Sequence, residues 1–410
     1  MRCIILLLTL LTVPALALLE LGPEEIVQDG FGDLIVQAYS IPCMVDWNED
    51  GLDDLIVGEG GGLFNGKVRV YPNQGIPGSP LFNGYFFAQT EDGDLEHHGS
   101  GCMGLYPRMV YWNDDGKKDL LLGRDSGQVM IHLNIGSEED PLFDAGSYLQ
   151  WGEPGNLVDI DVGVRSTPNY LDWNNDGRRD LLLGAVSGLI HVYFNEGTDT
   201  EPVFLSEYFV QEYDSPLVVP GGRSSPHFHD FDEDGRLDFI SGNTNGELFL
   251  YLNIGSEESP EFGGYTVLES EGLPIDLPSA ARSRPFVWDW DEDERLDVLV
   301  GAIDGKVHLF RGQEEVGVPA GELLAARLLP PWPNPFNPRL EISVELQETA
   351  EVSLRVLDVR GRLVKSLFDG NMEAGRHSLT WQADDFGSGL YTILLESAGV
   401  RQSRKAVFLK

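Results

Sequence analysis

The sequence predicts an all-β protein: a five-bladed β-propeller of four-stranded antiparallel blades, followed by an immunoglobulin-like β-sandwich. Three observations predict it. A nine-residue acidic segment recurs five times at near-constant spacing, an alternating β-rich strand follows each copy, and the residues after 328 lack the segment altogether. A repeated unit of short strands buries its faces only against neighbouring copies, which is the signature of a radial array.

At 410 residues the chain exceeds one ordinary domain. Residues 1–17, MRCIILLLTLLTVPALA, place one cation at Arg2 ahead of an apolar run from Ile4 to Val13 and end on the small-x-small pattern Ala15-Leu16-Ala17. That order predicts a secretory signal peptide cut after Ala17. The apolar run is shorter than the about 18 residues a span requires, and no later segment is long and apolar enough, so no transmembrane helix is expected after signal cleavage. Cys43 and Cys102 then remain, too few for a disulfide framework. A single bridge and two buried free thiols both fit the sequence.

Residues 18–312 hold the repeats. The copies are DWNEDGLDDLIVG from Asp46, YWNDDGKKDLLLG from Tyr111, DWNNDGRRDLLLG from Asp172, DFDEDGRLDFISG from Asp230 and DWDEDERLDVLVG from Asp289, with starts 65, 61, 58 and 59 residues apart. Each is preceded by a short apolar run (PCMV, PRMV, PNYL, PHFH, PFVW) and followed by an alternating strand (GKVRVYPN, GQVMIHLN, GLIHVYFN, GELFLYLN, GKVHLFRG). After Asn73, Asn134, Asn195 and Asn253, a Gly follows at two residues, a Pro at seven and a Phe at nine. The stretch around P-x-F is expected to supply the fourth strand of each unit. The fifth copy has no such continuation. Residues 18–40 have the length and pattern to complete it, which would close the ring and remove its edges.

Within each copy the loop follows D-x-[DN]-x-D-G-x-x-D. Alternate side chains at positions 1, 3 and 5, a carbonyl at 7 and a carboxylate at 9 can wrap one calcium ion, which takes six to eight hard oxygens, and the Gly at 6 permits the sharp turn. The pattern is similar to the first nine residues of an EF-hand loop but lacks a Glu at position 12 and lies between strands. It resembles the calcium loops of FG-GAP or VCBS repeats. That resemblance implies side-chain ligands Asp46, Asn48, Asp50 and Asp54 in the first loop, Asp172, Asn174, Asp176 and Asp180 in the third, and Asp230, Asp232, Asp234 and Asp238 in the fourth. In the second, Tyr111 replaces the first Asp and leaves Asn113, Asp115 and Asp119, a weaker site. In the fifth, Asp289, Asp291, Asp293 and Asp297 are complete, but Glu294 replaces the turn Gly. Up to five structural Ca2+ ions are expected. A single copy would also fit a solvated Asp/Asn/Gly turn; recurrence in register favours calcium over that reading, and magnesium demands a stricter octahedron.

Residues 313–338 read as a linker containing PPWPNPFNP, and residues 339–410 as an immunoglobulin-like sandwich with strands EISVEL, VSLRVLD, HSLTW and LYTILLES and turns at Arg360-Gly361 and Asp369-Gly370. Pro333-Asn334-Pro335-Phe336-Asn337-Pro338, Val356-Leu357-Asp358-Val359-Arg360-Gly361-Arg362, Gly389-Leu390-Tyr391 and the closing Lys405 to Lys410 together resemble the C-terminal sorting domain of type IX secretion substrates, with Trp332 where that family carries Tyr. The resemblance implies the type IX secretion machinery as a partner and a secreted or outer-surface location on a Gram-negative-type bacterium. An ordinary accessory domain is the alternative.

The charge narrows function. With 28 Lys+Arg against 67 Asp+Glu the formal charge is -39, which repels phosphate backbones and excludes nucleic acid as a partner. At 42% hydrophobic and 10% aromatic the chain is nonetheless too apolar for a disordered acidic protein. No nucleophile elbow, H-E-x-x-H, P-loop or dinucleotide fingerprint is present. His227 and His229 share one strand face, and His97-His98 fall in the longest inter-loop segment; neither pair forms a catalytic motif. Arg165, Arg223 and Arg282 recur in G-x-R-S-x-P or close variants, and symmetry puts them in a partial ring suited to carboxylate or uronic-acid ligands, or to backbone bonds within their own units. The expected function is a calcium-binding, non-catalytic binding or adhesion module for a glycan or protein. The alternatives are an extracellular polysaccharide-active enzyme using the propeller face, and pure structural display.

Overall fold

Every acidic segment joins two antiparallel strands, so the repeat of the sequence is also the repeat of the structure. The computed structural model describes residues 19–410 except 62–63, 98–103, 114, 214, 278–281, 314–325, 330, 334–335, 347–348, 359–361, 385, 398–399 and 409. The expected signal peptide and Cys102 lie outside the described residues, and Cys43 is a buried free thiol. The described residues form an all-β protein, with no helix long and apolar enough to cross a membrane.

In each unit an inner strand precedes the loop: Ile41–Val45, Tyr106–Val110, Thr167–Leu171, Ser225–His229 and Arg284–Trp288. Its second residue is always Pro, tolerated because the inner strand is an edge and needs no N–H on its open side. The second strands are Asp54–Gly61, Asp119–Gly123, Asp180–Gly184, Asp238–Gly242 and Asp297–Gly301. Their near-continuous apolar runs are explained by burial on both faces. Leu181 and Leu183 pack with Leu121 and Ile131 of the unit before, whereas Leu182 packs with Phe239 and Tyr251 of the unit after. The core therefore lies between units.

Third strands at Phe64–Tyr71, Val129–His132, Ile190–Asn195, Leu248–Tyr251 and Val307–Gly312 complete the hairpins. The fourth strands differ from the sequence expectation. In units one, two and four the P-x-F phenylalanine makes a single bridge to the unit's Asn (Asn73 with Phe82, Asn134 with Phe143, Asn253 with Phe262), and the paired strand begins a few residues later, at Phe86–Phe87, Ser147–Tyr148 and Thr266–Val267. The Phe is a buried plug in this position. In unit three, Phe204 opens the strand Phe204–Phe209 itself.

The fifth unit takes its fourth strand from the other end of the chain: Leu21–Ile26 runs antiparallel to Val307–Gly312, with Glu24 opposite Phe310 and Ile26 opposite His308. His308 Nδ1 lies 2.5 Å from Glu24 Oε1 and Nε2 lies 3.4 Å from Asp304 Oδ1. Burial pulls this imidazole down, but its hydrogen bonds to Asp304 and Glu24 outweigh burial and hold it above its ordinary range.

The five inner strands touch in cyclic order, each meeting both neighbours and the last meeting the first. One device repeats at four of these junctions. Ser166, Ser224, Ser283 and Ser40 each precede or open an inner strand, and each accepts the N–H of the residue after the preceding unit's second strand: Arg124 (2.9 Å), Ala185 (2.9 Å), Asn243 (3.0 Å) and Ala302 (2.9 Å). The Ser hydroxyl donates back to a carbonyl of the same hairpin, as from Ser224 to Leu189 O at 2.6 Å. The adjoining Gly has no room for a side chain. A Cβ on Gly123, Gly184, Gly242 or Gly301 would stand 2.2–2.5 Å from the carbonyl oxygen of the facing Ser, and one on Gly58 would stand 2.0 Å from Leu105 O.

The tail forms two sheets around one core. Ala326–Leu328, Arg339–Leu346 and Gly375–Gln382 make the first; Leu363–Met372, Ala350–Asp358, Gly389–Ser397 and Val400–Phe408 make the second. The expected linker 313–338 is in its later part integral to this fold: Ala326–Leu328 pairs with Arg339–Leu346, and Phe336 is buried between Trp381 and Phe408 at 5.1 Å from each ring. The turn expected at Asp369-Gly370 lies inside a strand instead. That strand is largely exposed, so it shows no apolar alternation, and Gly370 sits within it at a positive φ of 150° that favours glycine. The other expected turn, Arg360-Gly361, falls outside the described residues.

Three outcomes are expected. Ser224→Ala removes the hydroxyl's bonds to Ala185 N–H and Leu189 O, leaving that N–H only its longer 3.3 Å bond to Leu189 O, and lowers unfolding free energy by about 1 kcal/mol, while Gly242→Ala costs at least the about 1–3 kcal/mol of overpacking; urea melts of the purified chain measure both. Because His308 is held above its unfolded pKa of about 6.5, its contribution is complete below that value and is lost as pH rises through the folded pKa. Thermal melts across this window should therefore fall with rising pH, less steeply in His308→Gln.

Candidate metal centres

The loops are built from side-chain acceptors that hold their own backbone. In loops one, three, four and five the carboxylate at position 1 accepts the N–H of position 5 at 3.0–3.2 Å and of position 6 at 2.8–2.9 Å, as Asp230 does from Asp234 and Gly235. Such turns suit residues whose short polar chains mimic a backbone acceptor. Position 6 is left-handed throughout: Gly51, Gly116, Gly177 and Gly235 have φ between 78° and 90°, and Glu294 takes the same conformation at 68° despite its side chain. In loop two, Tyr111 supplies no such acceptor, and its hydroxyl donates to Glu138 at 3.1 Å.

The position-9 carboxylates are pins. Asp54, Asp119, Asp180, Asp238 and Asp297 are fully or almost fully buried, and each accepts two backbone N–H groups on opposite oxygens. One comes from the residue at position 2 (Trp47, Trp112, Trp173, Phe231, Trp290; 2.6–3.1 Å), the other from the end of the third strand (Asn73, Asn134, Asn195, Asn253, Gly312; 2.6–2.8 Å). Burial pushes Asp54, Asp180, Asp238 and Asp297 up to about 6, against the pull of those amides, and raises Asp119. The same Asn side chain accepts two further N–H groups of the next turn, for example Gly197 at 2.9 Å and Val203 at 3.1 Å on Asn195. This network accounts for the Gly and Pro-x-Phe spacing after each Asn.

Three carboxylates converge in two loops. Asp230, Asp232 and Asp238 offer oxygens within 4.8 Å of one another, as do Asp289, Asp291 and Asp297. In each cluster the position-3 residue holds a buried oxygen with no hydrogen-bond partner, Asp232 Oδ1 and Asp291 Oδ1. A buried carboxylate oxygen left unmatched beside two other acids is costly unless a cation meets it; Asp291 is in part compensated, since its other oxygen accepts from Arg311 Nη1 at 2.7 Å. The donor set is all hard oxygen, the chemistry of calcium rather than of a soft metal.

Position 5 stands apart from these clusters. Asp176 pairs with Arg178 at 2.5 Å, and Asp234 and Asp293 pair with Arg236 and Arg295 of their own loops. In loops one and three the position-3 amide turns its nitrogen to position 5, Asn48 to Asp50 at 3.0 Å and Asn174 to Asp176 at 3.1 Å, while its oxygen accepts the N–H of that residue. Loop two brings Asn113 to Asp115 similarly, at 3.3 Å. The fifth loop, which the sequence marks as irregular, thus matches the fourth, because Glu294 accommodates the turn.

Arg165, Arg223 and Arg282 do come near one another, and Tyr39 and Tyr106 join them at the starts of the inner strands. His227 is partly buried against Phe286 with ring centres 4.6 Å apart, and desolvation there drives its imidazole well below the ordinary range. His97 Nε2 lies 3.0 Å from Nε2 of His132, a partner invisible in the sequence because it sits in the next unit.

Comparison with known proteins identifies two modules in this order. An FG-GAP-like repeat matches residues 172–241, spanning the third and fourth loops, and a secretion system C-terminal sorting domain matches residues 331–409. The chain therefore carries an FG-GAP repeat and a type IX sorting tail, which indicates export to the cell surface or extracellular space. No curated protein matches. Among solved structures, similarity extends to PorZ, an essential bacterial surface component of the type-IX secretion system of Porphyromonas gingivalis (16% identity, 92% of this chain and 45% of that one, TM-score 0.32). It also extends to the Photorhabdus luminescens Tc holotoxin pore (13%, 92% and 20%, 0.36) and a glycoside hydrolase family 43 arabinoxylan arabinofuranohydrolase from Bacillus subtilis (10%, 90% and 95%, 0.40). The chain spans less than half the length of the first two.

Replacing Asp238 with Ala would leave the N–H groups of Phe231 and Asn253 buried without acceptors. A loss of roughly 2–4 kcal/mol is expected in denaturant melts carried out in chelator.

Proposed function

We propose that residues 18–312 form a five-bladed β-propeller braced by structural calcium ions, joined to an immunoglobulin-like sorting domain at 339–410 into which the later part of residues 313–338 is packed. The type IX machinery carries the molecule to the outside, where the propeller acts as a non-catalytic binding or adhesion module. The observation that carries the calcium reading is the unmatched, buried oxygen of Asp232 and of Asp291, each inside a cluster of three acids. Cyclic contact of the inner strands, closed by the N-terminal strand, supports the radial architecture. A structural role for the acids fits their geometry, because the carboxylates pushed up to about 6 have both oxygens on backbone amides.

Loops four and five should bind first. Loops one and three have the complete side-chain set of Asp46, Asn48, Asp50 and Asp54, and of Asp172, Asn174, Asp176 and Asp180, but require their amides to turn. Loop two, with Asn113, Asp115 and Asp119, should bind last. At free calcium 100-fold above Kd a site stabilises the fold by about 2.7 kcal/mol. The melting temperature is thus expected to drop in chelator and recover in millimolar calcium, with much of the response lost in the double variant Asp232→Asn, Asp291→Asn; melts that coincide in both conditions overturn the calcium reading. For export, a reporter fused to residues 326–410 should leave a type IX-competent cell, and its retention would sink the sorting role.

A further inference from the structure

The position just before the Ser of the inter-unit device is Tyr39, Arg165, Arg223 or Arg282 in four of the five units, and all four take a left-handed backbone, with φ of 48°, 59°, 59° and 77°. Left-handed conformation costs an L-residue about 1–2 kcal/mol, so the fold repeatedly accepts strain to aim these side chains at the centre of the ring. Arg284, first residue of the fifth inner strand, joins them. Its guanidinium carbon lies 5.2 Å from the ring centre of Tyr39 and 5.8 Å from that of Tyr106, and its Nε donates to Tyr106 Oη at 2.9 Å. Arg165 lies 5.1 Å from the Tyr106 ring, and Arg282 lies 5.2 Å from Tyr39, to whose hydroxyl it also donates. Three guanidinium groups, from the third and fifth units, thus share two tyrosine rings contributed by the first and second.

Two of these cations are buried, Arg165 at 1% exposure and Arg284 at 2%. Arg165 donates from Nη2 to Ser224 O at 3.3 Å and to the Ser225 hydroxyl, but its Nε and Nη1 have no partner, nor have Nη1 and Nη2 of Arg284. The described hydrogen-bond partners of these three guanidiniums are Ser224, Ser225, Tyr39 and Tyr106, with no carboxylate among them. Burial, and after the opposing pull of Tyr106 the charges of Arg284 and Arg223, brings Arg165 down to about 10. The acidic group they face is the Tyr106 hydroxyl: burial pushes it up, but Arg165 and Arg284 outweigh burial and hold it below its ordinary range. A phenol is a weak counter-charge for two buried cations, and such an arrangement is costly to keep.

We propose that the centre of the ring is a binding site for one carboxylate group. The free terminal nitrogens of Arg284 form the planar fork that a carboxylate fits in bidentate fashion. Arg165 shares the Tyr106 ring with it, and Arg223 and Arg282 are only half-buried and so the more accessible members of the cluster. The site deepens the binding role proposed above and rests on it for its biological meaning, while standing physically on the arginines alone. The carboxylate can belong to a small free acid, an acidic sugar or a peptide C-terminus, all of which present the same group.

Isothermal titration of the full mature chain in calcium, with a bulky sulfonate as the buffer anion, tests this with acetate, glucuronate and a tripeptide against its C-terminal amide. One-to-one binding of acetate is expected, with tenfold or greater weakening in Arg284→Met and a smaller loss in the half-buried Arg282→Gln, whose calcium-dependent melt should match wild type. The stronger binder among glucuronate and the tripeptide identifies the source of the group. Wild-type protein that binds no acetate, or binds chloride equally well, overturns the inference without reference to any variant. A glycan or protein ligand lacking carboxylates that binds Arg284→Met undiminished would sustain the binding role and sink the central site; acetate binding with no macromolecular ligand found would do the reverse.

Discussion

The rest of the propeller-like array depends on the contact between a side-chain-free Gly at the end of one second strand and the Ser-led entry of the next unit. Second strands are apolar on both faces, so each must be covered on both sides. Burial alone would tolerate sliding of one sheet over another, because apolar contact is non-directional. The serine hydroxyl, bonded both to an N–H and to a carbonyl of the preceding hairpin, fixes the offset. The missing Cβ permits the backbones to approach closely enough for those bonds. Ser40 meeting Ala302 and Gly301 is the same contact made between the first and last units, so closure requires no special device at the seam.

With spacing fixed at the inner end, the acidic loops organise the outer part of each hairpin. A position-9 carboxylate links the loop, the end of the third strand and, through the following Asn, the turn beyond it. Neighbouring loops are also tied to one another: Lys118 bonds Glu138 at 2.8 Å and also meets Glu49 of the first loop, Asn175 donates to Glu257 at 2.6 Å, and Trp288 donates to Asp53 at 3.0 Å. A cation bound in one loop therefore stiffens an assembly that already extends into the next unit. This is why metal occupancy should register in global stability rather than in the fraying of one turn.

The five-fold repeat, the order of strands around each loop and the N-terminal completion of the fifth unit were legible, because identical residue types stood at fixed spacing. What escaped was set by context. The fourth strands are two residues long in three units and carry little alternation, whereas the conspicuous Phe before them is a plug. In the tail, Leu363–Met372 is an exposed strand whose pairing is set by its neighbours, and Ala326–Leu328 is too short to announce itself. The central cluster was half visible: Arg165, Arg223 and Arg282 share a motif, but their fourfold companion is Tyr39, and Arg284 sits two positions further on. Equivalence of position with change of residue type can be seen only once the register is known.

The acidity has an orientation as well as a magnitude. None of the five inner strands, IPCMV, YPRMV, TPNYL, SPHFH and RPFVW, contains Asp or Glu, although the chain has 67 of them. Four of the five are followed at once by the first Asp of a loop, and four are preceded, one residue before the Ser, by an Arg in three units and a Tyr in the first. Because the inner strands lie in cyclic contact, the arginines stand at their starts and the first carboxylates of the loops at their finishes. If the loops take calcium and the arginines a carboxylate, as proposed above, one alternation of strand and loop would serve both kinds of ion at opposite ends of each inner strand, within a chain whose net charge of -39 would otherwise repel anions.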